Sequence, residues 1–297
     1  MKKILKNIRS QEITAIRKTV LPVVAATFTF AAAMTGCVKD ELHDTPHPNR
    51  GAVIITTEWS EALDESTVPD VYNLRMDGGE TVAVKGETST YPELLEPGRH
   101  ALSVYNEPRG MTIDGITATV NRLQDGTLEP LPEYLFSAVK GLDVVQDDTL
   151  RVIVPMIRRL CPIVLNLTLE GENTGAIARI DATLEGIAAS VDLQTGTIGN
   201  ENATVTLDVR QAAGKLIMRC RVVGINPQER QLLTVTVTMA DGYVQAITSD
   251  LTDRLKDLNA EMKPIELTGT VEAPQDGHFS GTIEDWEIVS GGDTDAN

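Results

Sequence analysis

The residues whose types and spacing could carry chemistry lie near the start of the chain. Met34-Thr35-Gly36-Cys37 closes an apolar run that begins near Thr19, and Lys2, Lys3, Lys6, Arg9, Arg17 and Lys18 precede that run. A positive segment, an apolar core and small residues before a cut point make a secretory signal, here residues 1–36. A cysteine at the cut is more specific, because it resembles a lipobox, in which Cys37 would become the new N-terminus and carry lipid such as palmitate; the alternative is a cleaved signal without lipid. Residues 19–33 are fewer than the roughly 20 apolar residues that span a bilayer, and Pro22 interrupts them. Each buried methylene of an acyl chain contributes about 0.8 kcal/mol, so several chains hold firmly where one holds weakly.

Lys39-Asp40-Glu41, one residue after Cys37, resembles the short basic-then-acidic signal with which some Gram-negative anaerobes send lipoproteins to the cell surface. Little else is arranged for chemistry. His43 and His47 follow the signal, while His100 and His278 stand alone beside Gly-containing turns, where a solvated side chain is expected. His43, Asp44 and His47 could be drawn as a metal set, but a flexible segment lacks the outer hydrogen bonds that orient ligands, so no metal is assigned. No phosphate loop, nucleophile elbow or metalloprotease motif occurs. Neither enzyme activity nor a cofactor is expected. Asp148-Thr149-Leu150 resembles an O-glycosylation motif of exported proteins, a weak signal. Asn166-Leu167-Thr168 and Asn202-Ala203-Thr204 fit the N-glycosylation pattern but fall in predicted strands and are read as chance.

The formal charge is −17, and removing residues 1–36 takes six of the 26 Lys and Arg but one of the 43 Asp and Glu, leaving about −22. Binding to phosphate backbones needs clustered Lys and Arg that release counterions, so no nucleic-acid partner is expected.

The elements that position these residues read as β-structure. Residues 37–50 are polar, with Pro46 and Pro48, and form an extended tether. From Gly51 the dominant apolar period is two. Val53, Ile55, Thr57 and Trp59 make one face of a first strand, and Ile116, Ala118 and Val120 continue the style. Cys161 is in phase with Ile163, Leu165 and Leu167, and Cys220 with Leu216, Met218 and Val222, so both thiols should point into the core. They read as buried free thiols, although a disulfide is chemically permitted outside the cytoplasm. Asp241-Gly242 is the strongest hairpin signal. Leu251, Leu255 and Leu258 are spaced for one short helix with Asp250 as N-cap. Short strands separated by Gly, Pro, Asn and Asp are the signature of antiparallel β-sandwiches, and about 240 structured residues suggest two. The boundary falls near residues 158–161, which gives sandwiches at 51–159 and 160–290 and a disordered tail at 291–297.

Several segments resemble, in order, the FimB-like anchor subunits of fimbrillin (type V) pili of anaerobic Gram-negative bacteria. They are the lipobox, the tether, Arg151-Val152-Ile153-Val154-Pro155-Met156 leading to Arg158-Arg159, and the run from Cys161 to Glu170. The stretch from Ala182 to Gly196 is similar to the family's L-x-G-x-x-x-x-V-x-L-x-x-G, with Leu184, Gly186, Val191, Leu193 and Gly196 at its fixed positions. The resemblance implies two tandem transthyretin-like Greek-key sandwiches, lipid attachment at the outer membrane, and a role in pilus assembly or cell adhesion with fimbrillin subunits as partners. A sandwich lacking one strand exposes a groove that a strand from another subunit fills. In the family's stalk subunits a cut after an arginine removes the first strand. An anchor would keep residues 51–59 and so limit polymer growth. A cut after Arg50 leaves that strand in place; a stalk would need a cut at Arg75 or later. Ile283, Trp286 and Ile288 lie in an alternating segment that is either a strand donated to a neighbour or the ordinary last strand of the second sandwich. The competing class is a surface glycan-binding lipoprotein of a nutrient-uptake system. Such proteins need exposed aromatic platforms, and several of the few aromatics here are in core phase.

Metabolic labelling with a fatty-acid analogue is expected to mark the wild-type protein and not Cys37→Ala. Protease shaving of intact cells is expected to remove it. Label surviving in Cys37→Ala refutes lipidation there, and full protection from shaving refutes surface display.

Overall fold

A computed structural model of the chain describes residues 49–64, 67–170, 177–212, 214–272 and 283–288. The period-two alternation becomes strand after strand: β1 (Ala52–Glu58), β2 (Val71–Met76), β3 (Thr81–Lys85), β4 (Thr88–Thr90), β5 (Gly98–Tyr105), β6 (Met111–Asp114), β7 (Thr117–Val120), β8 (Phe136–Val144), β9 (Thr149–Pro155) and β10 (Ile157–Arg158). There follow β11 (Cys161–Glu170), β12 (Ile177–Ala188), β13 (Ser190–Asp192), β14 (Asn202–Thr206), β15 (Asp208–Ala212), β16 (Lys215–Val222), β17 (Leu232–Met239), β18 (Val244–Asp250), α1 (Thr252–Leu255), α2 (Leu258–Glu261), β19 (Ile265–Glu272) and β20 (Glu284–Ile288).

The fold is an all-β sandwich architecture. Two sheets, ordered β4-β1-β9 and β10-β8-β5-β2-β3, face each other across one core. Val53 and Ile55 of β1 meet Tyr72, Leu74, Leu102, Val104, Phe136 and Val154 there. Two further sheets, β15-β16-β11-β19-β20 and β14-β12-β17-β18, enclose a second core. Cys161, Ile163, Leu165 and Leu167 alternate inward from β11, and Leu216, Met218, Cys220 and Val222 answer from β16. Each fully buried aliphatic side chain contributes roughly 1.5–3 kcal/mol relative to exposure.

Residues 106–135 cross between the two cores. The β6–β7 hairpin pairs with β13, in a third small sheet ordered β13-β7-β6. Leu128 donates its N–H to Thr204 O, and Ala118, Val120, Leu128 and Leu135 are buried in the second core. The Arg221 guanidinium lies 4.2 Å above the Tyr134 ring and donates to Pro132 O.

Three local expectations are corrected. Ile116, expected in phase with Ala118 and Val120, is exposed, because Gly115 with φ 62° makes a tight turn there and the strand begins only at Thr117. The leucine-spaced helix is two short turns, with Leu251 rather than Asp250 at the N-cap of α1. Asp250 sits one residue earlier, where its carboxylate accepts the Thr252 N–H at 3.0 Å. Leu251, Leu255 and Leu258 are all buried as their spacing requires. His100 is not solvated. Its Nδ1 lies 2.6 Å from Asp77 Oδ2 and its Nε2 2.8 Å from Glu96 O, straps that leave its side chain only 14% exposed. The Asp77 hydrogen bond draws the His100 pKa up. The Ala101 N–H, followed by His100, draws that of Asp77 down.

Both core thiols are free and buried. Loss of water pushes each pKa up to about 12, and the Cys161 S–H donates to Lys263 O. At pH 8 both are therefore expected to stay protonated and silent to an aromatic disulfide reagent, and both to react once the chain is unfolded in urea. Rapid modification of either thiol in the native protein contradicts this burial.

Candidate functional site

The segment on which an assembly role turns is β1. Its alternation puts Val53, Ile55 and Thr57 inward, and it is paired on both sides, antiparallel to β4 and parallel to β9 over seven residues from Ala52↔Thr149 to Glu58↔Pro155. Both ends are tied. Gly51 exchanges hydrogen bonds with Leu95 at 2.8 and 2.9 Å, and Glu58 O accepts the Met156 N–H. Beyond the strand, Trp59 stands edge-on to Tyr72 and Phe136, with centroids 5.7 and 5.4 Å away, and its Nε1 donates to Thr57 Oγ1. Gly51 has no room for a side chain, since a Cβ would lie 2.5 Å from Val144 Cγ1 and from Val145 O.

The two arginines that bear on cleavage differ in setting. Arg50 is half exposed, with Nη2 2.7 Å from Glu96 Oε1. Arg75 lies within β2, between β3 and β5, and its guanidinium donates to the carbonyls of Gly78, Gly79 and Gly115. Extended chain paired on both sides cannot enter a protease cleft without unfolding.

The C-terminal candidate strand, β20, occupies the edge of its own sheet, antiparallel to β19, with Leu267↔Ile288 and Thr268↔Glu287 in register. Ile283 and Trp286 are buried in the second core. The Trp286 Nε1 donates to Ser249 Oγ at 2.9 Å. Gly269 makes the seat, for a Cβ there would lie 3.3 Å from Trp286 Cε3 and 3.0 Å from Leu167 Cδ2. Cys37, Lys39, Asp40 and Glu41, together with His43, Asp44, His47, His278 and the tail 291–297, lie outside the described residues. The structure thus places β1 and β20 in different sheets, on different cores. The alternation flagged both strands, but it carried no sign of the parallel β1–β9 ladder, since period two is common to parallel and antiparallel pairing.

The sequence matches the profile of the fimbrillin-A associated anchor proteins Mfa1 and Mfa2 over residues 63–291. No curated protein matches it by sequence. Among solved structures, the fold is similar to that of a proposed adhesin from Bacteroides ovatus, with a TM-score of 0.58, 16% identity and coverage of 83% of this chain and 96% of that one. It is similar to the fimbrial anchor protein Mfa2 from Porphyromonas gingivalis, with a TM-score of 0.54, 11% identity and coverage of 81% and 97%. A proposed polysaccharide-binding protein from Bacteroides thetaiotaomicron gives a TM-score of 0.54, 11% identity and coverage of 82% and 96%. At these identities the likeness is one of fold.

Gly51→Ala is expected to lower the unfolding free energy by about 1–3 kcal/mol, the usual cost of forcing atoms into a packed site. Urea unfolding followed by tryptophan fluorescence reads it out. An unchanged midpoint refutes the tight seat of β1.

Proposed function

Because the chain belongs to the family of fimbrillin-A associated anchor proteins, we propose that it is the membrane-proximal anchor of a fimbrium. Lipid at Cys37 holds it in the outer membrane, Lys39-Asp40-Glu41 directs it to the cell surface, and the tether 37–50 lifts the body clear. The body is two tandem transthyretin-like sandwiches, 51–159 and 160–290, and its role is to attach the fibre and support adhesion.

The observation that carries the reading is the seat of β1. A polymerising subunit has to lose its first strand to open a groove, and here that strand is paired on both sides with Val53 and Ile55 fully buried. The exposed arginine, Arg50, precedes the strand, so a cut there frees the lipid and opens nothing. With its own groove filled, the chain accepts no strand and ends the polymer. Contact with fimbrillin subunits goes by strand complementation, with β20 as the strand donated to the neighbouring subunit; among the described residues it pairs with β19 alone, where β1 has two neighbours. The glycan-binding alternative has less support. Of the described aromatics, Trp59, Tyr72, Tyr91, Tyr105, Tyr134, Phe136 and Trp286 are buried or half-buried, and only Tyr243 is exposed. That is no stacking platform.

N-terminal sequencing of the protein recovered from assembled fibres decides the matter. A start at or before Gly51 is the expected result. A start beyond Trp59 makes the chain a polymerising subunit and removes the anchor reading.

A further inference from the structure

Arg158 closes β10 and Arg159 follows it. In extended chain, successive side chains point to opposite faces. Here both residues line one cavity of about 500 Å³, walled by Glu61 and β10 on one side and by β13, the loop after it and the end of α2 on the other. That volume lies within the range of small-molecule sites.

The charge in this cavity is under-compensated. Arg158 is 93% buried; its Nη2 donates to Met262 O at 2.8 Å, but its Nε is buried with no hydrogen-bond partner. Arg159 donates from Nε to Ser137 Oγ at 2.8 Å. Among the described residues neither guanidinium has a carboxylate within ion-pair distance. Burial draws the Arg159 pKa down, and Glu61 and Asp192 offset that only in part. The nearby acids are engaged. Glu61 accepts the Arg158 backbone N–H, Asp192 accepts the N–H groups of Gln194 and Thr195, and Glu261 faces Lys263 at the exposed rim. The position of Arg159 is built in by a glycine. Gly196 has φ 74°, and a Cβ there would fall 2.2 Å from Arg159 Nη1.

A buried guanidinium is costly unless it is hydrogen-bonded and paired, and its planar fork matches the two oxygens of a carboxylate. We propose that this cavity binds a small organic carboxylate, held by Arg158 and Arg159 with its body against Val191, Ile198 and Val223. The site is independent of the fimbrial reading, since it involves neither β1 nor β20.

The test is isothermal titration of the full-length chain in detergent with glucuronate, using glucose as the neutral match. Glucuronate is expected to bind with a Kd of about 1 mM or tighter and glucose not at all. Arg159→Gln and Gly196→Ala are each expected to weaken binding about tenfold or more, while the unliganded Arg159→Gln melts within a few degrees of wild type. Should Arg159→Gln not fold, Arg159→Lys, which keeps the charge but loses the fork, is expected to show the same loss. Absence of glucuronate heat at about 20 mM, equal binding of glucose, or undiminished binding in the Arg159 variants overturns the proposal.

Discussion

In each half of the molecule the first strand is held by a parallel partner about 100 residues further along the chain. β1 is held by β9 and β11 by β19. The second ladder runs in unbroken register from Ile163↔Ile265 to Glu170↔Glu272. Everything else hangs on these closures. Until β9 arrives, β1 has only three residues of pairing with β4, too little to keep Val53 and Ile55 out of water. Contacts of such separation gain nothing until the whole intervening chain is in place, so each half forms cooperatively or not at all.

The two cores are not independent either. Residues 106–135 leave the first half after β5, add two strands beside β13, bury Leu128 and Leu135 in the second core, and return at β8. Ser137 Oγ then donates to Leu193 O while accepting from Arg159 Nε, a polar chain joining β8, the residue after β10 and the residue after β13. Polar groups so enclosed must all be satisfied, which fixes how the parts meet.

Faces were legible in the sequence; neighbours were not. Cys161, Ile163, Leu165 and Leu167 are fully buried because a one-residue slip of β11 would turn all four outward, and that constraint is written in the local alternation. The same holds for Leu251, Leu255 and Leu258, and for Asp241-Gly242, where Gly242 takes φ 89° and its N–H closes on Met239 O. The partner of a strand is a different matter. Nothing in residues 52–58 distinguishes β9 from any other strand of similar pattern. For a related reason the setting of His100 is not written locally: its partner Asp77 is 23 residues away, and a lone histidine beside a glycine looks the same whether strapped or solvated. The two arginines at 158–159 were visible as a break in the alternation, but their convergence on one cavity depends on Met262, Gly196 and Ser137, which sequence scatters over more than 100 residues.

The closure by parallel ladder also bears on why retention or removal of the first strand is a decisive switch on the proposed reading. A strand joined covalently to its own domain competes for its groove at an effective concentration set by the connecting chain, of millimolar order for a short link. An incoming strand from another subunit is far more dilute. It must also displace seven registered pairs and the edge-on seat of Trp59 against Tyr72 and Phe136 before it gains any pairing of its own. Competition between intact chains therefore favours the resident strand, and only a covalent cut distal to Trp59 reverses the balance. In this chain the first arginine after that point is Arg75, inside β2 and paired on both sides. On the proposed reading, the fold thus shields the first arginine at which a cut would turn a terminus of the fibre into a link in it.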